Sequence, residues 1–448
     1  MRYSPVSPAI THVLAAAACL AAAAAVAQQP NPASRPADQP PVAQAWIDVA
    51  TFASPGMPGG MAGMMMGGAG QSPLGALLGG GKPQGNQFGL TQAAGQGRYV
   101  DVTLRSRQNP NLSEAVQRVP EGSQLAPSLQ LRVLPQAKPV PETEGDSVQP
   151  PAETPKGKIK LYWGCGTTVR PGQPKVLDFA TANLSQLGEM FQGRRATQRG
   201  THSAPGRPVW PNPQDPRLVP ANASLVGEHA FTGQGVPENF KFTLPAAQDI
   251  MPAIALQQSQ SNGVTQLSWQ PLPTARAYFI AAMGGKGDES GAAEMTLWTS
   301  SELPDSGFGL IDYQTNKSVD QWLKEKVLLP PTTTRCDVPK GIFGDGEQSG
   351  AMLRMIAYGT ELNLAYPPRP ADPKLAWKPD WGLKVRVKSV AMSMLGMPAM
   401  EGMDDAASAE GATGGEDAAP AAEEPKKKKK FSMKDALEAV KDSVPLPN

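Results

Sequence analysis

The chain has 448 residues, and its 41 Lys and Arg against 40 Asp and Glu leave a formal net charge of only +1 at pH 7. This length allows two or more domains, whereas a nucleic-acid-binding protein would usually carry a basic excess in its folded part. The 46 glycines and 47 prolines argue against a helical bundle, because both residues interrupt helices. They favour long irregular segments, and we expect no nucleic-acid partner.

The N-terminus has the pattern of a cleavable signal peptide. Arg2 supplies a positive charge, an alanine-rich apolar stretch follows, and Ala25-Val26-Ala27 is a small-residue cleavage motif. Cys19 lacks the preceding large apolar residue of a lipoprotein signal, so we favour ordinary secretion. Cleavage after Ala27 would then place the mature chain in the periplasm or outside the cell. Its sequence has no later apolar run of transmembrane length.

Two cysteines follow the predicted cleavage site, Cys165 and Cys336. In an oxidising compartment we expect them to form a disulfide. It would close a loop of about 170 residues, worth roughly 4–5 kcal/mol in the chain-entropy model. The alternative is a nucleophilic Cys165 with His202 or His229 as its base. Neither histidine lies in a recognisable catalytic motif, so the disulfide is the simpler interpretation.

The first ordered unit is predicted at residues 44–134, after a flexible leader at residues 28–43. AWIDVATF (Ala45–Phe52) alternates apolar and other side chains with the period of a strand. RYVDVTLRSR (Arg98–Arg107) has the same alternation and is its natural partner. Between them lies a Gly/Met-rich insertion, residues 53–97, which is longer than loops in compact domains usually are. Residues 128–134 form a further strand candidate.

A Pro/Glu-rich linker, residues 135–157, separates this unit from a middle β unit, residues 158–260. The middle unit begins with the strand KIKLYWGCG and later contains FKFTLP. Asn183–Phe191 is a candidate short helix. Residues 194–222 are rich in Pro, Arg and Asn and are predicted to be irregular coil.

The third unit, residues 261–391, contains closely spaced strand candidates. They are VTQLSW, ARAYFIAAM, EMTLWTSS, AMLRMIAYG, TELNLAY and LKVRVKSV. Residues 318–329 are predicted to form a helix that is capped by Ser318, with one apolar stripe consisting of Val319, Trp322, Leu323 and Val327. The predicted fold class is mainly β, with antiparallel β-sandwich modules, one or two short helices, and long disordered segments rich in Gly, Pro and Met.

Two resemblances concern this fold. LSWQPLPTARAYFIAAM is similar to the passage between two core strands of fibronectin type III-like sandwiches, with Trp269, Pro271, Tyr278 and Ile280 at the matching positions. This likeness covers residues 262–366 and implies an immunoglobulin-like sandwich. YWGCGTTVRPGQP and AMLRMIAYGTELNLAYPPRPADP resemble segments of an uncharacterised family of exported proteobacterial proteins, a likeness that implies no activity and no site residues.

Methionine supplies the candidate metal ligands. Ten of the 18 methionines fall in two clusters: Met57, Met61, Met64, Met65 and Met66, then Met392, Met394, Met397, Met400 and Met403. Soft thioethers select Cu(I), so the clusters are candidate copper ligands. The alternative is low-complexity sequence that packs through adaptable side chains, because envelope copper proteins usually intersperse His among such methionines.

The C-terminal part is predicted to be a disordered segment, residues 392–430, followed by an amphipathic helix, residues 431–448. The segment is Met-rich, then acidic, and ends in Lys426–Lys430. In the helix, Met433, Leu437 and Val440 share one face. This basic amphipathic arrangement could contact anionic lipid or an acidic partner. The alternative is a solvated linker with a weak terminal helix.

No catalytic or nucleotide-binding motif stands in a supporting context, and zinc-type spacing is absent from the sequence. Trp210, Trp377 and Trp381 lie in Pro-rich sequence, where they could form a carbohydrate or peptide platform or fill the end of a sandwich. We therefore expect an exported, non-enzymatic envelope protein without a cofactor that binds or scaffolds an envelope protein or glycan. The alternatives are a periplasmic Cu(I)-binding protein and an unrecognised hydrolase.

Overall fold

The computed structural model of the chain describes residues 38–56, 86–92, 95–135, 157–181, 194, 200–287, 293–343, 350–372 and 374–395. All of them belong to one compact unit, Met1–Glu401; a second unit, Gly402–Asn448, lies outside the described residues. The predicted signal peptide, the Asn183–Phe191 helix and residues 396–448 of the predicted C-terminal segments also fall outside them. Residues 392–395 were predicted to begin the disordered segment, which was wrong, because they form the end of a strand (Trp381–Leu395) and bury Met392 and Leu395.

The described part is mainly β, as predicted. Its strands are β1 (Ala43–Ala53), β2 (Gly97–Ser106), β3 (Glu114–Arg118), β4 (Ser128–Arg132), β5 (Gly157–Trp163), β6 (Lys175–Asp178), β7 (Val209–Trp210), β8 (Gly227–Thr232), β9 (Lys241–Leu244), β10 (Gln257–Ser261), β11 (Val264–Ser268), β12 (Ala277–Gly287), β13 (Ala293–Thr299), β14 (Arg335–Val338), β15 (Ala351–Tyr358), β16 (Leu362–Tyr366) and β17 (Trp381–Leu395). The α-helix of this part is α1 (Asn316–Lys324), and short 3-10 turns occur at Glu121–Ser123, Ala246–Gln248 and Phe308–Leu310.

Fourteen strands form one large mixed sheet, in the order β6-β5-β13-β12-β15-β17-β1-β2-β7-β4-β3-β8-β9, with β16 paired to β17 beside β15. Strands from all three units predicted from the sequence therefore join a single sheet. A second sheet has the order β10-β11-β14. Two neighbouring pairs of the large sheet are parallel, β1 with β17 and β13 with β5.

The pairing of β1 with β2 confirms the prediction made from their alternating sequences. The two strands are antiparallel, and Ile47 lies opposite Val102. On its other edge β1 pairs in parallel with β17, so that Asp48 lies between Asp101 of β2 and Arg386 of β17. These three strands form the centre of the sheet.

Both faces of this centre are covered. On one face Ile47 and Val49 belong to the main apolar core, together with side chains of β12, β15 and the second sheet. On the other face Ala50 and Phe52 pack under α1 and the residues around it. Period-2 alternation normally places one side of a strand in solvent. Here it places polar side chains beneath a second layer of chain, where Asp48 and Asp101 are at most 1 % exposed.

Helix α1 is shorter than predicted and begins earlier. Its N-cap is Thr315, whose Oγ1 accepts a hydrogen bond from the backbone N–H of Ser318 at 3.1 Å, so Ser318 is inside the helix. The helix ends at Lys324, and Lys326 has a left-handed φ of 58°. The chain then extends, and Leu329 exchanges two backbone hydrogen bonds with Tyr278. The predicted apolar stripe is nevertheless packed, with Val319 and Val327 fully buried.

Two further features concern the irregular segments. The predicted coil at residues 194–222 contributes β7 to the sheet, between β2 and β4, so that part of the prediction was wrong. Cys165 and Cys336 form the predicted disulfide, with Sγ atoms 2.08 Å apart and a sequence separation of 171. Cys165 follows β5 and Cys336 lies in β14, so the bond joins the two sheets.

Candidate functional site

A pocket of about 950 Å³ lies on one face of β2, β1 and β17. It is the face that carries Asp48, and the pocket lies beside the β1 residues that precede Asp48. We call it the cationic pocket. Its lining residues are Pro41, Gln44, Trp46, Arg105, Gly200, His202, Arg207, Asn363, Leu364, Ala365, Pro368, Arg369, Trp377, Pro379, Gly382, Leu383 and Lys384. This volume is at the upper end of the range for ligand-binding sites.

The floor of the pocket follows from the strand register. Gln44 of β1 lies between Arg105 of β2 and Gly382 of β17. Two residues further along, Trp46 has Lys384 of β17 as its neighbour. Since alternate residues of a strand share a face, Gln44, Trp46 and Asp48 point to the same side of the sheet. The floor is therefore an indole ring with a cationic side chain on each flanking strand.

The first wall is the segment from Gly200 to Arg207, and a buried carboxylate anchors it. Asp48 Oδ2 accepts hydrogen bonds from the backbone N–H of Thr201 at 3.0 Å and from its Oγ1 at 2.7 Å. Gly200 is required at this contact, because a Cβ there would lie 1.7 Å from Nη2 of Arg386. The anchored segment places Arg207 over Trp46, with its Cζ 5.3 Å from the ring centroid.

The second wall consists of β16 and the chain that follows it. Arg369 lies over Trp377, with its Cζ 5.4 Å from the ring centroid, and pairs with Asp38 at 2.7 Å. Trp377 Nε1 donates to the carbonyl oxygen of Pro367 at 3.0 Å, which fixes the plane of the indole. On the floor below, Lys384 pairs with Glu361 at 2.9 Å. The two cations at this side are therefore each neutralised by a carboxylate.

The other two cations are not neutralised in this way. Among the residues that the structure describes, no carboxylate lies within 4 Å of the guanidinium groups of Arg105 or Arg207, and the pocket lining contains neither Asp nor Glu. Arg207 instead contacts the ring of His202. Burial, together with the charge of Arg105, lowers the pKa of Arg207. Two like charges that face one open space favour an anion between them.

Beneath the first wall lies a network of buried charges. Arg386 binds both carboxylate oxygens of Asp48, and Lys388 pairs with Asp312 at 2.7 Å. Both cations lie over the ring of Tyr313, within 4.3 Å of its centroid. Burial lowers the pKa of Lys388 and raises that of Tyr313 well above its usual value. The network supports the first wall from the interior through the contact of Asp48 with Thr201, but none of its side chains lines the pocket.

Asp101 extends the network onto β2. Its carboxylate accepts hydrogen bonds from the backbone N–H groups of Gly89 and Thr91 and from the Thr91 hydroxyl. Burial raises its pKa to about 7, in spite of these donors. The nearby charge of Asp48 acts in the same direction. These hydrogen bonds connect Gly89 and Thr91, which belong to the insertion at residues 53–97, to strand β2.

The tryptophans singled out in the sequence have different positions. Trp377 lines the cationic pocket. Trp210 is fully buried in the main core, and Trp381 stacks on Phe240 with centroids 4.7 Å apart. Of the two alternatives, a platform or a filled interior position, the structure gives Trp210 and Trp381 the second, because each is buried in a strand of the large sheet.

The two histidines proposed as bases lie apart from one another. His229 is buried, and its ring nitrogens contact Gln117 at 3.1 Å and the carbonyl oxygen of Leu225 at 2.8 Å. Burial lowers its pKa. His202 lines the pocket. The sulfur of Cys165 is bonded to Cys336 and so carries no thiol for either histidine to deprotonate.

Two of the ten candidate methionine ligands are described. Met392 belongs to the apolar core near Phe52, and Met394 packs against that core. Met57, Met61, Met64, Met65, Met66, Met397, Met400 and Met403 lie outside the described residues. Within the described ranges, no group of three or more His, Cys, Asp or Glu could hold a metal ion.

The pocket residues missed in the sequence include Trp46, Arg105, Arg207, Arg369 and Lys384. A signal was present, because Trp46 and Arg105 occupy the less apolar side of two strands that were predicted to pair. The described residues include no helix with the length and hydropathy of a transmembrane span. No protein-family model matches the chain, and the search of curated proteins found no similar sequence.

Proposed function

We propose that the chain is a non-enzymatic binding protein of the cell envelope and that the cationic pocket holds an anionic ligand. The observation that carries the proposal is the pair Arg105 and Arg207, which faces a large open pocket without a carboxylate counterion among the described residues. A guanidinium group binds carboxylates and phosphates through two parallel N–H bonds. Envelope localisation rests on the signal-peptide pattern of residues 1–27.

The pocket is also well prepared for binding. Stacking of Arg207 on Trp46 and of Arg369 on Trp377 restricts two long side chains that would otherwise lose rotamer freedom when a ligand binds. The anchoring of Thr201 on Asp48 fixes the wall that carries Arg207. A site that is ordered before the ligand arrives binds it with a smaller entropic cost.

A sandwich-like arrangement of residues 262–366 is part of the same proposal. It is supported by the position of β11 in the small sheet and of β12 in the large one. Trp269 and Tyr278 meet between them edge to face, with centroids 5.6 Å apart. Leu267 of β11 and Ile280 of β12 share one apolar core. Such a module would contribute β16 to one wall of the pocket.

The proposal is tested by ligand-observed NMR of the purified chain with a panel of small carboxylates and organic phosphates. We expect saturation transfer to at least one anion, and its loss in the double variant Arg105→Gln/Arg207→Gln. Arg118→Gln is the matched control, because Arg118 is an exposed arginine of β3 and does not line the pocket. Equal signals from all three proteins, or no bound anion at all, would reject the proposal.

A second candidate function, Cu(I) binding through methionine, has one observation in its favour. Because β1 and β17 are parallel, Ala53 and Ala391 lie side by side at the same end of the sheet. In the sequence the first methionine cluster follows the end of β1, and the second begins within β17, directly after Ala391. Met352 and Met394 also lie opposite each other in β15 and β17.

A competition titration of the purified chain against a Cu(I) chelator tests this second function. Micromolar or tighter binding that is lost when Met64, Met65 and Met66 are changed to Leu would support it. An affinity weaker than micromolar would end it. The Met→Leu changes conserve apolar volume, so a loss of binding would report the thioethers.

A further inference from the structure

The cationic pocket is polarised from one side to the other. On the β2 side, Arg105 and Arg207 have no carboxylate partner among the described residues. On the β16 side, Arg369 and Lys384 are paired with Asp38 and Glu361. The positive potential is therefore concentrated at one end, and the other end is close to neutral.

The neutral end is lined largely by apolar groups. Ala365 of β16 lies opposite Gly382 of β17, so neither strand places a long side chain here, and the chain beyond β16 adds proline rings and the indole of Trp377. The apolar side chains that line this end are Ala365, Pro368, Trp377 and Pro379. The side chains of Leu364 and Leu383 pack in the main core on the opposite face of the sheet. Covering such apolar surface with an apolar part of a ligand removes it from water, which favours binding by roughly 25 cal/mol per Å² of apolar surface buried.

We infer that the ligand of the pocket is an anionic amphiphile, a molecule with one carboxylate or phosphate head and an apolar chain or ring system. This inference rests on the proposed function and specifies its ligand. The head lies between Arg105 and Arg207, and the apolar body lies across Trp46 towards Ala365 and Trp377. A purely ionic ligand would leave the apolar walls wet, whereas a purely apolar one would leave two guanidinium groups without an anion.

Three soluble probes separate charge from apolar contact in isothermal titrations of the purified chain. Decanoate, below the concentration at which it forms micelles, carries both parts of the ligand. Acetate carries the head alone, and decanol the body alone. We expect decanoate to bind about tenfold or more tightly than either, since a charge-assisted contact and apolar burial both contribute.

Variants assign the two parts to the two ends of the pocket. Arg105→Gln/Arg207→Gln should reduce decanoate affinity to that of decanol, and the single change Arg105→Gln, at an exposed side chain, should weaken it in part. Trp377→Gln should weaken decanoate without changing acetate. Arg118→Gln should change neither, which controls for the loss of a surface charge.

The outcomes distinguish this inference from the proposed function. Equal affinities for acetate and decanoate would overturn the inference that the ligand is an amphiphile, but would agree with the proposal that the pocket binds an anion. Equal affinities for decanol and decanoate would overturn both, as would the absence of any binding. Binding only to phosphatidylglycerol vesicles, without binding of monomeric decanoate, would overturn the inference in favour of a membrane-surface contact.

Discussion

Asp48 and Arg386 form a bidentate ion pair across the parallel pairing of β1 and β17, with both N–O distances at 2.6 Å. Their side chains are 1 % and 3 % exposed. The same carboxylate anchors Thr201. One buried contact therefore connects two strands that are distant in sequence and fixes a wall of the cationic pocket.

Asp48→Ala should strongly destabilise the fold, because it leaves the guanidinium of Arg386 buried without its carboxylate. We expect a loss of about 3–5 kcal/mol in the free energy of unfolding, measured by urea denaturation. Glu114→Ala is the control, because its pair with Arg132 is exposed and should be worth less than about 1 kcal/mol. Similar losses in the two variants would show that burial does not set the strength of the central pair.

Gly200→Ala should disturb the first wall of the pocket. The added Cβ would overlap Arg386 and lie 2.6 Å from Asp48 Oδ2. We expect a loss of about 1–3 kcal/mol in the free energy of unfolding, typical of overpacking, and weaker binding of anions. In Gly122→Ala the nearest atom to the new Cβ is 3.8 Å away, so that variant should be nearly neutral. A neutral Gly200→Ala would contradict the described anchoring of the wall.

Asp101 should make stability depend on pH in the direction opposite to that of most carboxylates. Its pKa is about 7 in the folded chain and about 3.9 in an unfolded one. Between these values the folded state holds a proton that the unfolded state has released, so its contribution to stability falls as pH rises from about 4 to 7. The slope from this group is at most about 1.4 kcal/mol per pH unit.

The measurement is the free energy of unfolding of wild type and of Asp101→Asn at several pH values. Asp101→Asn removes the titration, so the variant should gain stability relative to wild type as pH rises through this window. Comparing the two proteins at each pH cancels the contribution of His229 and of the other titrating groups. A difference that stays constant between pH 5 and pH 8 would show that Asp101 does not titrate there.

Removal of the disulfide should cost roughly 5 kcal/mol in the chain-entropy model, since the bond closes a loop of 171 residues. The measurement is urea denaturation of Cys165→Ala/Cys336→Ala against oxidised wild type. Reduced wild type is the control that separates loss of the bond from loss of the side chains. An unchanged midpoint after reduction would show that the cross-link does not limit unfolding.

The local strands could be predicted from the sequence, and the burial of their polar side chains could not. The alternation of apolar residues predicted both β1 and β2 as strands. They follow each other along the chain, and the 45 residues between them allow the chain to reverse direction and form an antiparallel pair. The parallel neighbour β17 begins more than 300 residues later, and no local pattern indicates which strand will pair there. The burial of Asp48 depends on that neighbour, since Arg386 supplies its counterion.

The candidate site was predictable only in part for the same reason. The Pro-rich sequence around Trp377 indicates a platform residue, but Arg105, Arg207 and Lys384 are far apart in the sequence. They meet only through the sheet register and the contact of Thr201 with Asp48. The helix boundary was wrong because Thr315 and Ser318 can each cap a helix, and tertiary contacts at Leu329 decided where it ended.

The most direct test of the central claim is the affinity of wild type and of Arg105→Gln/Arg207→Gln for the best-binding anion, measured by isothermal titration. The account predicts a loss of about tenfold or more in the double variant, with no change in Arg118→Gln. Equal affinity in the wild type and the double variant would contradict it, because Arg105 and Arg207 would then have no part in binding.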